Sequence, residues 1–224
     1  MLKVAFYLDN DSLGSVDLSG LLDGNPGVGG TEYQFLLVSY LLEQKSTLIE
    51  PTLVVKCNIS AAQKSKHQVN SLKELCEYCK HNGIKTIVMN QLRFDEQLID
   101  SYRGFFDVVL WDHNGMNLKR LNIVNERDYV KRIVCCGREM LDMYRDHPAT
   151  LKSTYIYNMQ PLKPMEWYKS HIEFTDNHNV VYMGSIIPTK GFHVLARSWK
   201  SVLQNVPDAQ LFVIGSGKLY DKTA

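Results

Sequence analysis

The chain has 224 residues, 45% of them apolar and 22% charged, which suits a folded protein with a sizeable core and excludes a disordered or low-complexity segment. Its 25 basic and 24 acidic residues give a formal net charge of +1, without the electrostatic footprint of a nucleic-acid binder, so DNA and RNA are not expected partners. The opening M-L-K-V-A-F-Y-L-D-N-D is too short an apolar run for a secretion signal, no later run reaches the roughly 18 apolar residues of a membrane helix, and the expected location is the cytoplasm.

Leu2 to Leu8 is apolar apart from Lys3 and is ended by Asp9-Asn10-Asp11, which predicts a buried first strand of a parallel sheet. A loop rich in glycine and aspartate follows and closes with G-N-P-G-V-G-G at Gly24 to Gly30. The next helix carries Tyr33, Leu36, Leu37, Tyr40 and Leu41 on its inward face. Thr31 with Gln34 predicts a capping box, and Gly29 and Gly30 either admit an anion to the first helical N–H groups or only shape the turn. No Gly-Lys-Ser/Thr follows, which disfavours a P-loop. The second strand, Thr52 to Cys57, ends in Lys56-Cys57-Asn58 without an acid for a ribose hydroxyl, which disfavours a dinucleotide site.

The middle of the chain alternates: helix Ser71 to His81, strand Thr86 to Met89, short helix Asp95 to Ser101, strand Asp107 to Trp111. Of the five cysteines, Cys76 and Cys79 lie within the first of these helices and read as helix thiols, since a lone pair supplies half of a tetrahedral zinc site. The Asp107 strand runs into W-D-H-N-G, which puts Asp112 and His113 at its carboxyl end before an Asn-Gly turn. From the residues alone, a histidine there reads as a solvated or capping group. A helix over Asn117 to Asp128 bears Lys119, Arg120 and Arg127, with Lys131 and Arg132 beyond. Such a cluster could touch anionic lipid, but the interleaved Glu126 and Asp128 favour a solvated face.

Strand Ile133 to Cys136, helix Arg138 to Asp146 and strand Ser153 to Tyr157 complete the first half, and Pro161, Pro164 and a polar segment to Asn179 read as a linker. Val180 to Met183 then predicts a buried strand ended by Gly184. Phe192, Leu195, Ala196, Trp199, Val202, Leu203 and Val206 mark one helix face, stopped by Pro207. Ala209 to Ile214 is a further strand, ended by Gly215-Ser216-Gly217, so the segment makes one βαβ unit with its loops at the carboxyl edge.

The order M-G-x-x-x-x-x-K-G, F-H-V-L and P-D-A-Q-L-F-V-I-G-S-G in this segment resembles the opening of the donor-binding domain of family 4 glycosyltransferases. The resemblance implies a doubly wound α/β fold of the two-domain GT-B type, with residues 1–175 as the acceptor-side domain and 176–224 as the incomplete start of the donor domain. It implies that His113, contacting the transferred sugar, and Lys190, facing the donor diphosphate, are the catalytic residues, and that Gly29, Gly30, Glu32, Ser185, Gly191, Gly215 and Gly217 line the donor. Ser185 stands where the family places an arginine, and Met159 where it places a glycine.

The implied reaction is retaining and metal-independent, with no cofactor beyond the nucleotide-sugar substrate, and it delivers the sugar to a glycan or glycolipid acceptor, with weak peripheral contact at a membrane face. Two other readings stand beside it: a sugar-nucleotide epimerase of the same architecture, which needs acid/base carboxylates, and a non-catalytic nucleotide-sugar-binding fragment, which Ser185 favours. A single βαβ unit of this length does not cover both faces of its sheet, so the segment from residue 179 is expected to be the opening of a larger domain.

Overall fold

The computed structural model describes residues 1–9, 13, 16–171 and 177–215, and the chain divides into two compact units, Met1–Pro161 and Leu162–Ala224. The division falls at the first of the prolines read as linker. The first unit runs β1 (Leu2–Leu8), β2 (Asp17–Leu18), α1 (Gly30–Lys45), β3 (Ile49–Val55), β4 (Ser60–Ala61), β5 (Lys66–Gln68), α2 (Leu72–His81), β6 (Thr86–Asn90), α3 (Glu96–Asp100), β7 (Asp107–Asp112), α4 (Leu118–Asn125), β8 (Val130–Cys135), α5 (Arg138–Asp142) and β9 (Ser153–Tyr155).

Seven of these strands form one sheet in the order β5-β3-β1-β6-β7-β8-β9, with every neighbouring pair parallel. The chain fills the sheet outward from β1 to β5, then returns to the other side of β1 and fills outward again from β6 to β9. That reversal is the signature of an α/β, Rossmann-like sheet, and it leaves a crevice at the carboxyl ends of β1 and β6. The strands form because their side chains are apolar on both faces, as a doubly covered parallel sheet requires. Ala5, Ile87, Met89, Val108, Leu110 and Ile133 pack on one side with Leu75 and Cys76 of α2, Ile99 of α3, and Leu121 and Val124 of α4.

Phe6, Val88, Val109 and Trp111 face the opposite side. There, with Val38, Leu41 and Leu42 of α1, they line an apolar groove of about 500 Å³.

The shorter helices are held by side-chain caps. Ser71 Oγ accepts from Glu74 N at 3.2 Å, Asp95 Oδ1 from Leu98 N at 3.1 Å, and Asn117 Oδ1 from Arg120 N at 2.9 Å. The expected capping box on α1 does not form. Its N-cap is Gly29, with no side-chain cap bond, and Gln34 points elsewhere. The Gln34 amide donates to Met159 O at 2.9 Å and accepts from Met159 N at 2.8 Å. The backbone after β9 has no ladder partner at that point, and a buried amide satisfies both of its polar groups, which outweighs a solvent-exposed cap.

Two of the five residues of the basic cluster are engaged inside the unit. The Arg120 guanidinium donates to Glu96 Oε2 at 2.8 Å, to Gln91 O at 2.8 Å and to Phe94 O, while Arg127 grips both carboxylate oxygens of Asp100 at 3.0 and 2.7 Å. These two arginines tie α4 and its exit to the turns after β6 and α3. Lys119, Lys131 and Arg132 are not drawn inward in this way.

The second unit contains α6 (Met165–His171), β10 (Asn179–Met183), α7 (Phe192–Asn205) and β11 (Gln210–Ile214), with β10 and β11 parallel. The stretch read as a polar linker therefore includes a helix, which starts directly after Pro164 with Glu166 in its first turn. The strand expected to be buried is not: Val181 is 59% and Met183 80% exposed, beside Phe212 and Ile214 on the same face. Within the described residues of this unit, α7 covers one face of a two-stranded sheet and nothing covers the other.

Cys76, Cys79 and Cys135 are buried, and burial pushes each thiol up to about 12. A thiol reagent at pH 8 should label Cys57 and Cys136 in the native protein and all five cysteines only after denaturation. Rapid native labelling of Cys76 or Cys79, read by mass spectrometry, would contradict the packing of α2.

Candidate functional site

The crevice where β1 and β6 part holds a cavity of about 200 Å³, lined by Tyr7 and Leu8 at the end of β1 and Asp9 after it, Thr31, Glu32 and Phe35 on α1, Asn90 at the end of β6 with Leu92 and Arg93 after it, and Asn114 after β7. Ligands of open parallel sheets bind at this place, because the loops there leave in opposite directions and uncover backbone at the strand ends. The N-terminus of α1, a helix of 16 residues, opens onto the same edge. Its first N–H groups carry partial positive charge and have no intrahelical acceptors. A Cβ on Gly30 would meet nothing within 4 Å, so the approach to these groups is open.

Of the residues singled out in the first unit, Glu32 lines this cavity, while Gly29, Gly30 and His113 do not and are only near neighbours in the chain of its lining residues Thr31 and Asn114. His113 follows β7 directly and is half-buried, its ring 5.3 Å from that of Trp111, which in turn lies 5.1 Å from Phe35. Its Nε2 is buried with no hydrogen-bond partner among the described residues. Burial lowers the His113 pKa below the ordinary 6.5, opposed by the nearby carboxylates of Asp112 and Glu32. The imidazole is thus neutral at pH 7, able to accept or donate one hydrogen bond at Nε2 according to its tautomer.

The loop carrying His113 is fixed from beneath. Asp112, fully buried, accepts from Asn114 N and Gly115 N, each at 3.0 Å, on Oδ1, and from the Tyr144 hydroxyl at 2.5 Å on Oδ2. The same hydroxyl accepts from Met116 N at 2.6 Å. Gly115 takes a left-handed φ of 79°, which lets the chain fold back over the carboxylate.

No family model matches the chain, and no curated protein does.

In the second unit the singled-out residues gather at the carboxyl ends of β10 and β11. Gly184 N donates to Ile214 O at 2.9 Å, and a Cβ on Gly215 would lie 1.9 Å from Gly184 O, so only glycine fits there. Ser185 O accepts from the Tyr182 hydroxyl at 3.0 Å. Lys190 is exposed at the end of the short helical turn Pro188–Lys190, and Gly191, with a left-handed φ of 76°, is the N-cap of α7. Gly217 lies outside the described residues.

Several residues of the first cavity escaped the sequence reading. Asp9 pairs with Lys56 at 3.5 Å and Arg93 at 3.9 Å, bridging the ends of β1, β3 and β6. Asp9 was visible only as the residue that ends the first strand. Its partners sit in turns with no periodicity to mark them. Tyr144 gave no signal at all, since its role depends on a contact 32 residues back along the chain.

Because His113 holds a lower pKa folded than unfolded, the unfolded chain binds more protons below pH 6.5, and stability is lost as pH falls through that value. An NMR titration should give a His113 midpoint below 6.5, and His113→Gln should flatten the acid side of the stability profile. A midpoint at or above 6.5 would show that the ring is solvated.

Proposed function

We propose that these residues belong to a nucleotide-sugar-dependent glycosyltransferase of the GT-B type, the first unit forming the acceptor-side domain and the second the opening βαβ of the donor domain. The observation that carries the reading is the gathering of the α1 N-terminus, Glu32 and a neutral, half-buried His113 at the β1/β6 switch point. The glycine-lined strand ends of β10 and β11, with Lys190 and Gly191 beside them, support it independently.

In this reading the chemistry is breakage of a sugar–phosphate bond. A nucleoside diphosphate leaves with added negative charge, and Lys190 with the N-terminus of α7 supplies the positive potential that meets it. His113, in this reading the contact to the transferred sugar, stands next in the chain to Asn114 and near Glu32, which line a cavity of about 200 Å³, while its own Nε2 is buried. Phosphate is already a good leaving group, so no hydrolase-like carboxylate pair is needed. Transfer to a glycan or glycolipid acceptor, with the enzyme touching a membrane face only peripherally, is part of the same proposal. No helix of the described residues is long and apolar enough to cross a membrane.

Ser185 in place of a family arginine favours one other reading, a binding fragment without turnover. The two separate in a donor-transfer assay on the longest polypeptide encoded with these residues. Transfer or donor hydrolysis supports the enzyme, and nucleotide-sugar binding without either supports the fragment. A free isomerised sugar without an acceptor would mark an epimerase instead.

The 224-residue chain by itself should show little or no transfer, since among its described residues one apolar face of the β10–β11 sheet is left uncovered. Turnover on the order of one per second or faster would refute that. In an active longer polypeptide, Lys190→Ala should lower turnover by roughly 10²–10³-fold, as for loss of a charge-assisted contact that strengthens in the transition state. Calorimetric titration with nucleoside diphosphates gives the matching loss of affinity. Unchanged binding and turnover would remove Lys190 from the donor site.

A further inference from the structure

We infer that Tyr144, acting through Asp112, is the positioning residue that sets the His113 imidazole on the loop beside the switch-point cavity. The inference rests on the reading of His113 as a site residue, and its test is separable from the test of transferase activity.

The geometry is as follows. Among the described residues His113 Nε2 has no hydrogen-bond partner, and none of them orients the ring from its far end by a polar contact. Its position is set by the backbone of the loop it stands on and by the Trp111 ring beside it. That backbone leaves β7 and loses its ladder partners, and its N–H groups at 114, 115 and 116 must find acceptors. The Asp112 carboxylate takes the first two, and the Tyr144 hydroxyl takes the third while donating back to the carboxylate. Cys136 N donates to Asp112 O at 3.1 Å, which fixes the same residue to the end of β8. The turn is therefore closed by two side chains, one of which arrives from the segment after α5.

Tyr144 is 1% exposed, and its ring packs in the same cluster as Leu121, Ile133 and Cys135. Its hydroxyl is held in the protonated form by burial and by the Asp112 carboxylate, so it remains a donor throughout the working pH range. A phenylalanine would keep the ring packing and remove only the hydroxyl. That change strands the Met116 N–H and strips the carboxylate of one of its three donors, where the cost of an unpaired buried group falls on the loop itself.

The test uses the protein in three forms: unaltered, Tyr144→Phe, and Tyr129→Phe as a control. Tyr129 is also buried, and its hydroxyl also donates to a carboxylate, Asp100, at 2.6 Å, but far from the His113 loop. The readout is the NMR titration of the His113 ring, which needs no substrate. Groups facing that ring are Asp112 and Glu32, with Trp111 packed beside it, and both carboxylates remain in all three forms. Tyr144→Phe should move the His113 midpoint upward toward 6.5 as the loop relaxes and the ring gains solvent, while Tyr129→Phe leaves it in place.

An unmoved midpoint in Tyr144→Phe overturns the inference, and so does an equal movement in both variants, which would mean general loosening. If Tyr144→Phe does not fold, amide exchange in the unaltered protein decides. Slow exchange at Gly115 and Met116 supports the clamp, and exchange as fast as in a free loop overturns it. In an active longer polypeptide, the variant should lower kcat with KM little changed. Movement of the titration together with no detectable transfer by any longer polypeptide that contains these residues would sink the transferase reading and leave the positioning role standing.

Discussion

The reversal of strand order beside β1 is the constraint on which the rest of the first unit depends. A right-handed crossover from β1 to β3 places α1 on one face, and the return crossover through α2 to β6 lies on the other. At the carboxyl ends the two connections diverge, and no helix can fill the gap between them. The open edge is then supplied by whatever the adjoining residues carry: here the α1 N-terminus, an ion-paired aspartate, two asparagines and a neutral histidine. The chemistry of the cavity follows from topology first and side-chain identity second.

Much of this architecture was legible in the sequence because parallel strands buried on both faces are written as continuous apolar runs. Leu2 to Leu8 is one, and its bounds agree with β1. Helix α2 was legible for a different reason, since Ser71 at its start and Asn82-Gly83 at its end are local signals with local causes. The misreadings share a cause as well. Thr31 and Gln34 have the spacing of a capping box, but Gln34 is drawn to Met159, 125 residues away, and no local pattern encodes that competition. Strand β8 begins at Val130 rather than Ile133 because pairing with β7, across an irregularity at Val108 and Val109, extends it through two charged residues. Of the site, Gly29, Gly30, Glu32 and His113 were found by position at strand and helix ends. Asp9, Arg93 and Tyr144 were not, because their roles arise from tertiary contacts.

The second unit shows the opposite case, where an apolar pattern meets few neighbours among the described residues. Of the expected stripe, Phe192, Leu195, Trp199, Val202 and Val206 turn inward while Ala196 and Leu203 are exposed, and Tyr182 and Phe192 pack with ring centres 4.9 Å apart. Yet each of the inward residues is only half-buried, since a two-stranded sheet is too narrow a surface for a helix of 14 residues. The face bearing Val181, Met183, Phe212 and Ile214 is apolar without a cover among the described residues. Apolar residues on both faces of a parallel pair are what a sheet enclosed between two layers demands, so the sequence of this unit is written for more neighbours than its two strands and α7 provide.

Burying polar groups is costly, and where a protein does so it shows which geometry it maintains. Among the described residues the buried amides, hydroxyl and carboxylate outside the aromatic set are Gln34, Ser39, Gln63, Gln91 and Asp112. Ser39 and Gln63 serve each other and Leu36 O on the flank of α1. The other three stand at the carboxyl edge. Gln34 holds the chain after β9, Gln91 reaches toward Gly115 O at 3.5 Å and is itself tied to Arg120 through its carbonyl, and Asp112 closes the turn of His113. Strands hold their neighbours by backbone ladders, but loops that must stay open to a ligand have no ladder to use. Side chains reaching in from below take over that work, and the desolvation cost of Gln34, Gln91 and Asp112 is concentrated beneath the residues that face the crevice.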